Sequence, residues 1–264
     1  MAAFLETILA GVREDLGKRK AAVPFPAILE RARQNRNRRD IRDRLGDGPG
    51  IVAEIKRASP SLGWIRKGLD AAKTARSYAD AGACAVSVLT EGRFFGGSLD
   101  DLSAASKVCG TVPALRKDFV LDEYMVAESR AHGADLVLLI VAVLGKETGR
   151  LVREASSLGM EALVEVHDEK EMELAAGCGA TLIGINNRDL ATLRVDLGTS
   201  RRLLPMAPGD AVKVVESGIT SPSEVRDFSA MGADAFLVGE ALVRAEDPGA
   251  AIRALRGERS PANG

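Results

Sequence analysis

From residue 51 onward, short apolar runs rich in Val, Ile, Leu and Ala alternate with longer stretches whose apolar positions recur at helical spacing. The short runs predict strands over 51–57, 84–90, 112–117, 135–141, 161–166, 181–186, 212–217 and 234–238. The periodic stretches predict helices near 70–81, 98–108, 122–132, 146–158, 168–176, 198–204, 221–230 and 248–256. Such strict alternation implies a parallel sheet, and eight strand–helix units are the number that closes a barrel. The expected class is therefore α/β, a (β/α)8 TIM barrel. A doubly wound open sheet is the alternative, but no Gly-x-Gly-x-x-Gly follows the first strand. In front of the barrel, Phe4, Leu5, Ile8, Leu9 and Val12 predict a helix, and after Pro24 and Pro26 a second is expected from Ile28 to Leu45.

Punctuation supports the count. Gly82-Ala83, Gly133-Ala134-Asp135, Gly179-Ala180 and Gly232-Ala233-Asp234 recur at a spacing of about fifty residues, each where a helix should end and a strand begin. Ser221-Pro222-Ser223-Glu224 combines an N-cap, a proline at the first helical position and a capping box, and Asp247-Pro248 opens the last helix. The expected organisation is a helical extension over 1–48, a barrel over 49–258 and a tail over 259–264.

Composition narrows the partners. A net charge of -1 argues against nucleic acid or an anionic membrane, and the Arg-rich segment from Arg31 to Arg44 is interleaved with Asp40 and Asp43, so it reads as a solvated helical face. Cys84, Cys109 and Cys178 are odd in number and scattered, which suits buried thiols in a reducing cytoplasm. No apolar stretch approaches a membrane span, and the start of the chain lacks the pattern of a signal peptide.

In a barrel of this kind the active site lies at the carboxyl ends of the strands. Those ends are polar here. The first strand carries Glu54 and Lys56 on one face, and the third ends in Arg116-Lys117-Asp118. The fifth ends in Glu165, the sixth in Asn186-Asn187-Arg188 and the seventh in Glu216-Ser217-Gly218. Each taken singly reads as a solvated strand end; converging on one mouth, they are hard to explain without an anionic polar ligand. A partly desolvated lysine with a lowered pKa can serve as general acid or Schiff-base nucleophile, and a carboxylate with a raised pKa as its partner. No metal set and no Ser/His/Asp arrangement is present, and His132 and His167 read as surface or capping groups.

Gly218 and Gly239 follow the seventh and eighth strands, where exposed N–H groups commonly hold a phosphate. The long loop Ser59–Gly68, with Gly63 and the sole tryptophan Trp64, is expected to be a mobile lid. Phe95 and Phe119 bring aromatic surface to the mouth, as packing or as a slot for a planar ring.

Together these stretches closely resemble the indole-3-glycerol phosphate synthase family. The resemblance rests on Glu54-Ile-Lys-Arg-Ala-Ser-Pro-Ser61, Leu89-Thr-Glu91, Phe95-Gly-Gly-Ser98, Leu115-Arg-Lys-Asp-Phe119, Leu138-Leu-Ile140, Leu163-Val-Glu165, Ile185-Asn-Asn-Arg-Asp-Leu190, Glu216-Ser-Gly-Ile219 and Val238-Gly239. It covers essentially the whole barrel, with Met125 and Leu193 standing where Gln and Phe would be expected. The resemblance implies a carboxy-lyase of tryptophan biosynthesis that closes the ring of 1-(2-carboxyphenylamino)-1-deoxyribulose 5-phosphate, losing carbon dioxide and water.

By the same resemblance, Lys117 or Lys56 supplies the proton that activates the ketone, Glu165 is the acid/base of dehydration, and Glu54 holds the lysines charged and oriented. Lys56 and Arg188 would face the aromatic carboxylate, and Asn186, Glu216 and Ser217 the sugar hydroxyls. Ser59, Gly218, Gly239 and Glu240 would hold the phosphate, while Pro60, Phe95, Phe119 and Leu138 line the ring slot. No metal or organic cofactor is implied, the partner is a phosphorylated small molecule, and a monomer is the working expectation. A class I Schiff-base aldolase and a non-catalytic sugar-phosphate-binding barrel are the rival readings.

Overall fold

The computed structural model describes residues 3–46 and 48–258; the expected tail at 259–264 lies outside the described residues. Helices α1 (Ala3–Ala22) and α2 (Phe25–Gln34) precede β1 (Gly50–Ile55). A small hairpin of β2 (Ala58–Ser59) and β3 (Gly63–Trp64) leads to α3 (Ala71–Asp80). Next come β4 (Ala85–Leu89), α4 (Leu99–Val108), β5 (Ala114–Lys117), α5 (Glu123–Ala131), β6 (Leu136–Ile140), α6 (Val141–Leu144) and α7 (Thr148–Ser157). The chain continues through β7 (Glu161–Val166), α8 (Glu169–Gly177), β8 (Leu182–Asn186), α9 (Gly198–Leu203) and β9 (Val212–Glu216). It finishes with α10 (Pro222–Ala230), β10 (Ala235–Val238), α11 (Glu240–Arg244) and α12 (Pro248–Leu255).

The strands pair in parallel in the order β1-β10-β9-β8-β7-β6-β5-β4, and β4 returns to β1, so the sheet closes on itself as the expected (β/α)8 barrel. Every predicted strand and every predicted barrel helix is present, with ends within two residues of expectation. The strands are buried on both faces because helices cover the outside and side chains fill the inside. The hairpin β2–β3 and the short α6 and α11 were not predicted, since elements of two to five residues carry too little periodicity to read.

The Gly-Ala-Asp repeat does more than end helices. Gly133 and Gly232 adopt φ of 93° and 97°, which favours glycine, and the aspartate after each reaches sideways to the next strand. Asp135 accepts from the backbone N–H of Ala114 at 3.0 Å, and Asp234 from that of Lys213 at 2.8 Å. Both contacts satisfy a donor at the amino end of a strand and help set the register of the neighbour.

The segment expected to be helical up to Leu45 departs from prediction. Helix α2 stops at Gln34, residues 35–40 are irregular, and only a short 3-10 turn at Arg42–Arg44 follows. Asn35 and Asn37 are weak helix formers, and their carbonyls accept from the buried guanidinium of Arg130 instead of from a helical ladder. Arg31, Arg33, Arg36 and Arg38 are exposed to solvent as expected, whereas Arg39 and Arg42 are tied to the barrel. Arg39 donates to Ser106 Oγ at 2.6 Å and to the Ser106 carbonyl at 3.0 Å, and its Nε lies 2.7 Å from Asp135 Oδ2. Arg42 forks onto Glu161 at 2.7 and 2.8 Å and also reaches the Thr181 carbonyl. The stretch is thus a strap across the amino ends of the strands, opposite the mouth. Replacing Arg39 leaves Asp135 buried with a weaker partner, Arg130 at 3.7 Å. Arg39→Ala is expected to lose about 3 kcal/mol of stability in urea unfolding, with the site at the other end undisturbed; an unchanged midpoint would show that the strap is not anchored there.

Candidate active site

Side chains alternate along a strand, so the residue that closes one face at the carboxyl end points into the barrel while its neighbour points to the helices. Glu54, Lys117, Glu165, Asn186 and Glu216 fall on the inner face and, with Lys56 just past β1, border one cavity of about 390 Å³. Phe95, Phe119, Leu138, Arg188, Ser217, Gly218, Gly239 and Glu240 border the same cavity. Ser59 and Pro60 do not: they sit in the β2–β3 hairpin, where Ser59 is buried with its hydroxyl 3.4 Å from Ser61 Oγ. Arg116, expected at the mouth, points the other way. It is buried between sheet and helices, donating to the Met125 carbonyl, Glu128, Thr90 and Asp118, as its position next to the inward Lys117 requires.

The cavity floor is a compact arrangement of charge. Lys117 Nζ lies 2.9 Å from Glu165 Oε2 and 3.2 Å from Glu216 Oε2, while Lys56 Nζ lies 2.6 Å from Glu54 Oε1. Glu165 and Glu216 are each only 1% exposed. Burial alone would lower the Lys117 pKa, but Glu165, Glu216 and Glu54 outweigh it and hold the ammonium above the ordinary lysine value. This reverses the expectation of a lysine with a lowered pKa. A Schiff base needs a neutral amine, and two carboxylates within 3.2 Å of Lys117 favour the charged form instead.

The two carboxylates beside Lys117 are not equivalent. Burial works to raise both, yet in Glu165 it is overcome by Lys117 and His167, which hold that carboxyl well below the usual range. In Glu216 burial prevails over Lys117, helped by Glu165 and Glu54, and the carboxyl is raised. Glu216 Oε1 is moreover buried with no hydrogen-bond partner. Like-charged carboxylates sharing one cation separate in this way, one ionised and one inclined to keep a proton.

Two glycines make room for this chemistry. A Cβ at Gly184, inside β8, would lie 2.1 Å from Glu216 Oε1, and one at Gly239 would lie 2.2 Å from Glu54 Oε1. Each glycine therefore faces a carboxylate folded into the barrel interior. Gly239 has a second consequence of position, since it caps the short α11 and leaves the first N–H groups of that helix facing the mouth. The Glu240 side chain turns to Arg244 at 3.1 Å, so only its backbone is free for an anion. After β9, Ser217 and Gly218 are both left-handed, with φ of 64° and 86°.

The surrounding loops are braced by residues to which the sequence reading gave no bracing role. Glu91 accepts from the backbone N–H of Arg93, Phe94 and Phe95, which sets Phe95 with its ring centroid 6.4 Å from that of Phe119. The buried Asn187 side chain donates to the Glu216 and Ser217 carbonyls and accepts from Ser200, fixing the turn that carries Gly218. Arg188 donates to the Leu193 carbonyl at 2.8 Å. His167 is not a surface group: its Nε2 lies 3.3 Å from Glu165 Oε1 and its Nδ1 3.1 Å from Glu171 Oε2. The signal for it was in the sequence, because Glu165 and His167 are two apart and share a face. Trp64 is 55% exposed and stands beside Gly96, with Lys67 over its ring.

Comparison with known proteins bears on the fold and on the family. Among solved structures, 3-hexulose-6-phosphate synthase from Salmonella typhimurium superposes with a TM-score of 0.63 over 79% of this chain and 97% of its own, at 18% identity, which speaks to the fold alone. Curated sequences are far nearer. An indole-3-glycerol phosphate synthase from Nocardioides sp. is 49% identical over 258 residues, covering 97% of this chain and 99% of its own. Those from Kineococcus radiotolerans and Mycobacterium sp. (strain KMS) are 47% and 45% identical, covering 95% and 96% of this chain and 94% of each relative. The family model described as indole-3-glycerol phosphate synthase matches residues 5–255, from the first helix to the last, and the chain belongs to that family.

Proposed function

We infer that the chain acts as a carboxy-lyase, converting 1-(2-carboxyphenylamino)-1-deoxyribulose 5-phosphate to indole-3-glycerol phosphate, and that Lys117 and Glu165 form the centre of the chemistry, with Glu216 beside them. The observation that carries the reading is the Lys117 ammonium held at 2.9 and 3.2 Å between two buried carboxylates of opposite tendency. In ring closure the aromatic carbon bearing the carboxylate bonds to the ketone carbon, and Lys117 protonates the ketone oxygen. The bond to the carboxyl carbon then breaks, carbon dioxide leaves and the electron pair restores the aromatic ring. In dehydration the hydroxyl so formed departs as water with a second proton, and Glu165 removes one proton to complete the indole. Two protons go in and one comes out, so the reaction takes one from solvent. No step requires a metal or an organic cofactor.

The remaining residues bind and orient. Lys56, held by Glu54 at 2.6 Å, and Arg188 suit the aromatic carboxylate, while Phe95, Phe119 and Leu138 suit the ring. Asn186, Ser217 and the unpartnered Glu216 Oε1 suit the sugar hydroxyls. The backbones of Gly218, Gly239 and Glu240 suit the phosphate, with Arg244 at the cavity edge as an additional cation that sequence reading overlooked. Ser59 and Pro60, outside the cavity border, join the site through movement of the hairpin that carries Trp64. Every group comes from one chain, so a monomer suffices. Three free cysteines and a phosphorylated substrate fit the cytoplasm, and no helix among the described residues is long and apolar enough to cross a membrane.

Three outcomes are expected. Lys117→Ala and Glu165→Gln should each lower kcat at least about a hundredfold with much smaller changes in KM, and the double variant should be less than additive; near-normal turnover in either single variant, with parent-like melting, would remove that residue from the chemistry. In the ligand-free protein, an isotope-edited infrared titration should find Glu216 still protonated well above the ordinary carboxylate range, a signal that vanishes in Glu216→Gln. A midpoint in the ordinary range would mean that burial is not what governs it. Product at saturation should change Trp64 emission or its access to quencher, and no change in either would separate the hairpin from the site.

A further inference from the structure

Glu165 sits between two basic groups, and only one of them has a role so far. Lys117 faces its Oε2 at 2.9 Å; His167 faces its Oε1 at 3.3 Å from the other side. His167 is clamped. Its backbone N–H donates to Glu171 Oε2 at 2.7 Å, and its ring Nδ1 lies 3.1 Å from the same oxygen. Glu171 is itself fixed at the start of α8, where its backbone N–H donates to the capping carboxylate of Asp168 at 2.9 Å.

This clamp dictates a protonation state. Against a carboxylate oxygen, Nδ1 must carry a hydrogen. A neutral ring would bring no positive charge to the buried Glu165 carboxylate 3.3 Å from Nε2, so a ring set between two carboxylates favours the doubly protonated imidazolium. The Nε2 contact lacks the direction of a hydrogen bond, and Nε2 is buried, so the ring acts on Glu165 through its charge. Other charged groups bear on the same place: Lys117 from β5, Glu216 from β9, Glu54 from β1 and Asp189 from the loop after β8. Burial would lower the His167 pKa, but Glu165 and Glu171 outweigh it and push the ring up to about 10.

We propose that His167, held by Glu171, is a positioning residue: a fixed positive charge that keeps Glu165 ionised while Lys117 gives its proton to the substrate. Once Lys117 is neutral, Glu165 loses its nearer counter-charge inside a buried site and would otherwise take up a proton from whatever donor is at hand. The imidazolium on its far side keeps it a base until the dehydration step. This rests on Glu165 being the base, and the tests separate the two claims.

The full-length protein is compared with His167→Asn, Glu171→Gln and His167→Lys, recording kcat and KM against pH. Without the cation the Glu165 pKa rises, so the acidic limb of the kcat profile should move to higher pH by about one unit or more in His167→Asn, with KM little changed. Glu171→Gln lowers the His167 pKa and should follow the parent at low pH and His167→Asn at high pH. His167→Lys, which restores a cation, should return the limb toward the parent position. In the parent, nitrogen NMR should find both ring nitrogens of His167 protonated up to pH about 10, a readout that needs no variant to fold. A neutral ring at pH 7, or an unmoved acidic limb in His167→Asn, would overturn the proposal. If Glu165→Gln keeps its turnover, the assignment of the base itself falls; if it is inactive while the His167 profiles are unmoved, only the role of His167 falls.

Discussion

The structure depends on one ammonium buried among carboxylates. Three glutamates brought into a barrel interior would repel each other and lose hydration, a cost of several kcal/mol per charge that folding alone would not tolerate. Lys117 offsets that cost for Glu165 and Glu216, and Lys56 does so for Glu54. Lys117 is useful as an acid only because its partners keep it charged, and the carboxylates around it remain buried only because the cation is present. Stability and chemistry therefore rest on the same contacts.

Room for this cluster is made by absence. Gly184 and Gly239 lack the Cβ atoms that would collide with Glu216 and Glu54, so the interior can hold carboxylates where a barrel ordinarily holds branched apolar side chains. The loops then bind the cluster to the scaffold from above. Glu91 gathers three backbone N–H groups to set the aromatic edge, and Asn187 ties the turn after β9 to the segment leading into α9. At the opposite end, the arginine strap and the aspartates before β6 and β10 fix the amino ends of the strands, far from substrate. The two ends divide the labour usual in this fold, with stability at the amino face and reactivity at the carboxyl face.

The cations at the mouth have a consequence for substrate. Lys56, Lys117, Arg188 and Arg244 border the cavity together with Glu54, Asp118, Glu165, Glu240 and a Glu216 inclined to stay protonated, so anionic groups of a ligand find cations to meet them there. A carboxylate at the ring end and a phosphate at the other match that distribution, while the apolar wall of Phe95, Phe119 and Leu138 between them matches a planar ring.

Eight apolar runs in alternation with eight periodic stretches were enough to determine the barrel, because closure follows from counting and each strand has only two faces. The same alternation put Glu54, Lys117, Glu165, Asn186 and Glu216 at one mouth, where the structure has them. Distances between strands decided the rest. Whether Lys117 is held protonated or released as a neutral amine depends on which carboxylates stand within about 3 Å, and those come from strands 48 and 99 residues away in the chain. His167 read as a surface or capping group because, although Glu165 and Glu171 stand only two and four residues away, it is the fold that brings both carboxylates within 3.3 Å of its ring. The segment after Gln34 read as helix because its periodicity was visible, whereas the Arg130 guanidinium that takes up its carbonyls lies 93 and 95 residues away. Local pattern fixes which face a residue occupies; the charge it carries there is set by neighbours that only the closed barrel brings together.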